Sequence, residues 1–134
     1  MSQENVEIVR RAFAVWAIPG DPETMVDATG PGFEMHLTGV GGEPVFYAGA
    51  DGIREFFRDV TDDWEFLRFE ATDVRELNGD RVLVLADVRG RGRGSGVEVD
   101  AQWAWIVELN EGRATCVRGF LDHGKALAAA GLPE

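Results

Sequence analysis

Cysteine, histidine, serine and positive charge are all scarce in this chain of 134 residues, and each scarcity argues against a class of chemistry. Cys116 stands alone, so neither an internal disulfide nor a multi-cysteine zinc site can form. The two histidines, His36 and His123, are too few for a multi-histidine metal site, and no H-E-x-x-H pattern occurs. No metal and no cofactor is expected. Serine occurs only at Ser2 and Ser95, without a G-x-S-x-G elbow, which argues against a serine nucleophile. Thirteen Lys and Arg against twenty-four Asp and Glu leave a formal charge of −11. Such a surface repels phosphate backbones and anionic lipid, so no nucleic-acid or membrane partner is expected. An 18-residue apolar run is absent and the N-terminus MSQENVEIVRR carries no apolar leader segment, so a cytoplasmic location is expected.

What is present fits one soluble domain over residues 1–134: 45% of residues are hydrophobic and 28% charged. Ser2 reads as a helix cap, followed by an apolar stripe of Val6, Val9, Phe13 and Trp16 at helical spacing. Pro19-Gly20 stops that helix. Asp21-Pro22 caps and opens a short second one, which ends near Thr29-Gly30-Pro31-Gly32. Phe33, Met35 and Leu37 alternate with Glu34 and His36 in a short strand. A glycine-rich loop from Gly39 to Pro44 leads to Phe46-Tyr47-Ala48-Gly49. Ile53, Phe56, Phe57 and Val60 mark a third helix running to about Asp63.

The second half reads as long strands. A Gly94-Ser95 turn sets Arg91 opposite Glu98, Arg89 opposite Asp100 and Arg81 opposite Glu108, with Val84 facing Trp105 on the other side. A one-residue slip would set charges against valines, so this register is well specified. A three-residue turn at Asn110-Glu111-Gly112 pairs Trp103 with Gly119, Trp105 with Val117 and Ile106 with Cys116. Around Asn78-Gly79, a three-residue loop that sets Val74 opposite Val84 keeps Asp73 and Arg75 off the apolar face. Asp122 caps a last helix, with Gly131 as its stop and Pro133 beyond. The order predicts an α+β fold: a cone-shaped, curved antiparallel sheet of roughly four to five strands around three N-terminal helices, closed by a short C-terminal one.

The inner sheet face, from Val82 and Val84 through Trp103, Trp105 and Val107 to Val117, Gly119 and Leu121, holds no charged side chain. Phe13, Trp16, Met35, Phe57, Trp64, Val84, Trp103, Trp105, Val117 and Leu121 are therefore the expected contacts of a small apolar ligand, although aromatic stripes also fill plain cores. His36 has strand parity opposite to Met35. It is either a proton shuttle at the cavity rim or a surface histidine. Asp122-His123 is a cap before it is a dyad. Gly90 to Gly96 lies between strands and does not fit a phosphate-binding G-x-G-x-x-G. On the outer face, Leu83, Leu85, Ala104, Ile106 and Phe120 form an apolar patch expected to be covered, most simply by a second copy in a homodimer.

Glu4-Asn5-Val6-Glu7-Ile8-Val9-Arg10-Arg11-Ala12-Phe13, Gly20-Asp21, Phe33-Glu34-Met35-His36, Tyr47-Ala48-Gly49, Gly52-Ile53-Arg54-Glu55-Phe56-Phe57, Gly79-Asp80-Arg81-Val82 and Leu121-Asp122 together resemble the SnoaL-like, ketosteroid-isomerase-like branch of the nuclear transport factor 2-like superfamily. The resemblance implies a cone with an internal pocket, dimerisation through the outer face, and activities ranging from isomerase, cyclase and hydrolase to none. Aligned with ketosteroid isomerases, the oxyanion tyrosine falls on Phe13 and the oxyanion aspartic acid on Trp105. The base falls on Met35 and a supporting tyrosine on Phe57. None of these side chains transfers a proton, which removes that chemistry. With the gap near Gly32 shifted by one residue, His36 takes the base position instead. Three functions remain: a binder of a small apolar molecule, an enzyme using His36, and a non-catalytic association domain.

Overall fold

The structure is a computed structural model that describes residues 2–38, 42–77 and 80–131. Capping by the Ser2 side chain, the Asn78-Gly79 turn, Pro133 and part of the Gly39–Pro44 loop lie outside the described residues. Along the chain run α1 (Ser2–Val15), β1 (Ala17–Ile18), α2 (Pro22–Asp27), β2 (Thr29–Thr38), β3 (Pro44–Ala48) and α3 (Gly49–Asp63). Then come β4 (Trp64–Glu76), β5 (Arg81–Gly92), β6 (Glu98–Asn110), β7 (Arg113–Phe120) and α4 (His123–Ala129). One curled sheet holds all the strands in the order β1-β4-β5-β6-β7-β2-β3. The fold is the expected α+β cone, but with seven strands rather than four to five. The extra strands escape pattern reading because β1 is two residues long and β3 only five, too short to show a periodicity.

The long hairpin has the expected register. Arg91 faces Glu98, Arg89 faces Asp100, Val84 faces Trp105 and Arg81 faces Glu108. Its tip is wider than two residues: the Gly92 amide bonds the Val97 carbonyl at 2.8 Å, and Gly94 and Gly96 take positive φ. Val74 faces Val84 across β4 and β5, with a bulge between Ala71 and Asp73.

The next hairpin corrects the sequence reading by two residues. Asn110 pairs with Arg113, so the turn is Glu111-Gly112, both at positive φ. A register shift beside Thr115 then sets Glu108 opposite Cys116, Val107 opposite Val117 and Trp105, not Trp103, opposite Gly119. The shift is even, so every side chain keeps its face. β2 is also longer than expected, taking in Gly30-Pro31-Gly32, and it pairs in parallel with β7. Gly32 at φ 75° lies within its irregular stretch.

The concave face is filled from α1 by Val6, Val9 and Phe13 and from α3 by Ile53, Phe56 and Phe57. These pack on Val82, Val84, Ala86 and Val88 of β5 and on Trp105 and Val107 of β6. A second, smaller cluster lies on the convex face. There Leu83, Ala104 and Ile106 are buried with Leu77 under Ala126, and Leu85, Phe120, Leu127 and Ala130 pack around them. Asp122 accepts from the Lys125 amide as the N-cap of α4, and His123 Nε2 lies 2.9 Å from the Trp103 carbonyl oxygen. The chain's own α4 thus covers the centre of the outer apolar patch.

Ile53 has no exposed surface, whereas Val15 is 65% exposed. Ile53→Ala should therefore destabilise the domain by about 2–5 kcal/mol in denaturant unfolding, and Val15→Ala should change it by no more than about 0.5 kcal/mol. Equal effects would contradict the placement of the core.

Candidate functional site

Between the concave sheet and the three N-terminal helices lies a cavity of about 670 Å³. Its wall is aromatic. The Phe13 ring leans on Trp105 with centroids 5.1 Å apart, and Trp16 stacks on Phe69 at 4.1 Å with planes 5° apart. Phe13 is reached by the helical stripe of α1, and Trp16 lies just past its end. Trp103 and Trp105 project inward because β6 alternates. Trp105 packs across Gly119: a Cβ there would stand 3.4 Å from two indole ring atoms, an ordinary contact, and 2.6 Å from a Leu37 methyl, which would have to move. Trp16 Nε1 is buried at this wall without a hydrogen-bond partner.

Nine of the ten expected ligand contacts lie on this lining: Phe13, Trp16, Met35, Phe57, Trp64, Trp103, Trp105, Val117 and Leu121. Leu121 is at the edge, 37% exposed. Val84 is the exception. It is wholly buried between Val74 and Trp105 in the sealed core and does not reach the cavity. His36 is also outside the lining. Its ring is exposed, 3.2 Å from Glu34 Oε1 and tilted against Phe46, because it has the opposite parity to buried Met35. That placement corrects the expectation of a base at the cavity mouth. The Asp122-His123 dyad does not form either, since the two side chains take separate partners. Cys116 is half-buried opposite Glu108; burial first, then its hydrogen bond with Glu108, pushes its thiol up.

The polar groups of the site stand at the rim, and sequence reasoning missed them. The Tyr47 hydroxyl at the end of β3 donates to Asp59 Oδ2 of α3 at 2.7 Å, and both residues line the cavity with Asp63. The signal was the spacing of Phe56, Asp59, Val60 and Asp63, which share one helical face. Close packing holds Tyr47 against this helix, since a Cβ at Gly52 would lie 3.1 Å from the Tyr47 carbonyl carbon. Arg54 forks onto both carboxylate oxygens of Glu23 at 2.8 Å and joins α2 to α3 beside the rim. Among the described residues no group of three His, Cys, Asp or Glu could hold a metal ion. The site can therefore enclose an apolar molecule and hydrogen-bond it at the rim.

Burial raises the Tyr47 hydroxyl well above the ordinary tyrosine value, helped by the hydrogen bond to Asp59 and the charges of Asp59, Glu55 and Asp63. Because the folded phenol holds its proton more tightly, its stabilisation is fully present below the unfolded value of about pH 10 and is lost above it. Tyr47 is the sole tyrosine, so tyrosinate absorbance reports it alone. In a pH titration the folded protein should ionise later than free tyrosine, and Asp59→Asn should move the transition part of the way back. Ionisation at the ordinary value would contradict the Tyr47–Asp59 contact.

No helix among the described residues is long and apolar enough to cross a membrane. The chain is similar in structure to an NTF2-like protein of unknown function from Burkholderia pseudomallei K96243, with a TM-score of 0.77 and 19% identity over 95% of this chain and 97% of that one. It is similar also to a protein named as a candidate SnoaL-like polyketide cyclase from Jannaschia sp. CCS1, with a TM-score of 0.74 and 22% identity over 99% and 95%. TerC, co-crystallised with polyporic acid, matches with a TM-score of 0.74 and 22% identity over 95% and 97%. At these identities the likeness shows the fold. No curated protein matches the sequence. The family model of the SnoaL-like domain matches residues 9–117, most of the chain, and the protein belongs to the SnoaL-like family.

Proposed function

We propose that this SnoaL-like protein binds one small apolar or aromatic molecule inside its cone. The observation that carries the reading is the aromatic cavity of about 670 Å³, within the size range of small-molecule sites, with its charged groups at the rim. Stacked and edge-on rings such as Trp16–Phe69 and Trp16–Trp105 offer a guest both faces and edges. TerC, of similar fold, was co-crystallised with polyporic acid, which agrees with a fold that accepts a small organic molecule. The resemblance to ketosteroid isomerases sets their acid and base positions on Phe13, Phe57, Trp105 and Met35. If the gap shifts by one, the base falls on His36, whose ring stands outside the cavity, so binding is a better reading than proton transfer. An enzymatic reading through His36 has no geometric support, because that ring stands outside the cavity.

The neutral fluorophore N-phenyl-1-naphthylamine should bind saturably at one site per chain and quench tryptophan emission. Trp103 is half-buried on the lining, and Trp103→Ala should weaken the binding about tenfold. Non-saturable binding, or binding indifferent to that substitution, would contradict the proposal.

A further inference from the structure

The rim of the cavity carries more negative than positive charge. Asp59 and Asp63 on α3, Glu43 just before β3 and Asp21 at the head of α2 all line it, against Arg11 alone among the described residues. Two further arginines lie close to α3: Arg54 is neutralised by carboxylates, whereas Arg93 keeps its charge beside Asp63, and the balance of the rim stays negative. Arg54 is held by Glu23 and Asp51. Arg93 donates to the carbonyl oxygens of Thr61 and Trp64 at the C-terminal end of α3. The Tyr47 hydroxyl, 2.7 Å from Asp59 Oδ2, fixes that carboxylate at the opening rather than leaving it to swing into solvent.

Next to these carboxylates stands the aromatic wall. Tyr47 meets Phe56 edge-on at 5.5 Å, and Phe56 lies 6.1 Å from Trp16, so rings continue from the rim inward. Two separate effects then act in one direction. Walls of low polarity focus the field of the rim charges into the opening. The faces of aromatic rings attract cations and do not attract carboxylates. The formal charge of −11 adds a long-range pull of the same sign.

We infer that the cavity selects organic cations: molecules with an apolar or aromatic body that fills the cone and an amine or quaternary ammonium group that sits beside Asp59 and Asp63. This assignment rests on the small-molecule reading above and adds the charge of the ligand to it. A carboxylate at the same end of the ligand meets repulsion and binds worst. A neutral hydroxyl lies between the two.

Three ligands on one skeleton separate the inference from the reading beneath it: 1-naphthylmethylamine, 1-naphthalenemethanol and 1-naphthoic acid, titrated calorimetrically into the intact protein near neutral pH. The amine should bind about tenfold tighter than the alcohol, and the acid more weakly than either. Raising the salt to about 0.5 M should narrow the preference for the amine, since it screens the rim charges. The double variant Asp59→Asn, Asp63→Asn should bring amine and alcohol within about twofold of each other. Should that variant fail to fold, the salt series on the unaltered protein decides the same question. Equal binding of amine and alcohol, a tighter acid, or a preference indifferent to salt overturns the inference and leaves the cavity reading standing. Binding of none of the three overturns both.

Discussion

The structure turns on the contact between Trp105 and the bare backbone of Gly119. A Cβ at position 119 would touch the indole at ordinary contact distance and displace a Leu37 methyl, so the glycine leaves both side chains close against the bare strand. From there Trp105 reaches the Phe13 ring of α1 and the Trp16 ring beyond it. On its other neighbour, β5, the valines and alanine of the inner face are sealed. Trp105 thus stands at the boundary between the filled part of the cone and the cavity.

That boundary explains why one apolar surface does two jobs. Near Val82, Val84 and Ile53 the helices and sheet meet directly and leave nothing exposed. Towards Trp64, Trp103 and Leu121 the same oily face lines a cavity. Burying large rings stabilises the fold, while rings left half-buried at the wall present contact area to a guest. The charged groups and the Tyr47 hydroxyl are placed where water reaches them, at the rim, and the Trp16 indole N–H is the polar group left buried at the wall.

The parts that were legible in the sequence are those where charge and hydrophobicity alternate along the same strand. Arg81, Arg89 and Arg91 find acidic partners only in one register, and β5–β6 adopts it. The inward parity of Met35 and outward parity of His36 follow from the same alternation. The register of β6–β7 was not legible, because it depends on a left-handed Glu111 and on the shift beside Thr115, and neither leaves a mark on the hydrophobic pattern. The covering of Leu83 and Ile106 by α4 was missed because a helix of seven residues looks too slight to close a sheet face. The Tyr47–Asp59 pair joins a strand end to a helix across 12 residues, a juxtaposition that only the folded chain displays.

With a cone that is largely aromatic within and charged only at its rim, the proposed function stands or falls on where a neutral guest goes. Methyl-resolved NMR with naphthalene as the guest measures this directly. Shifts and intermolecular Overhauser effects should concentrate on Met35, Leu37 and Val117 and on the indoles of Trp103 and Trp105, with Leu85 on the convex face unmoved. Contacts spread over the convex face, or no contact with the concave methyls at saturating naphthalene, would contradict it.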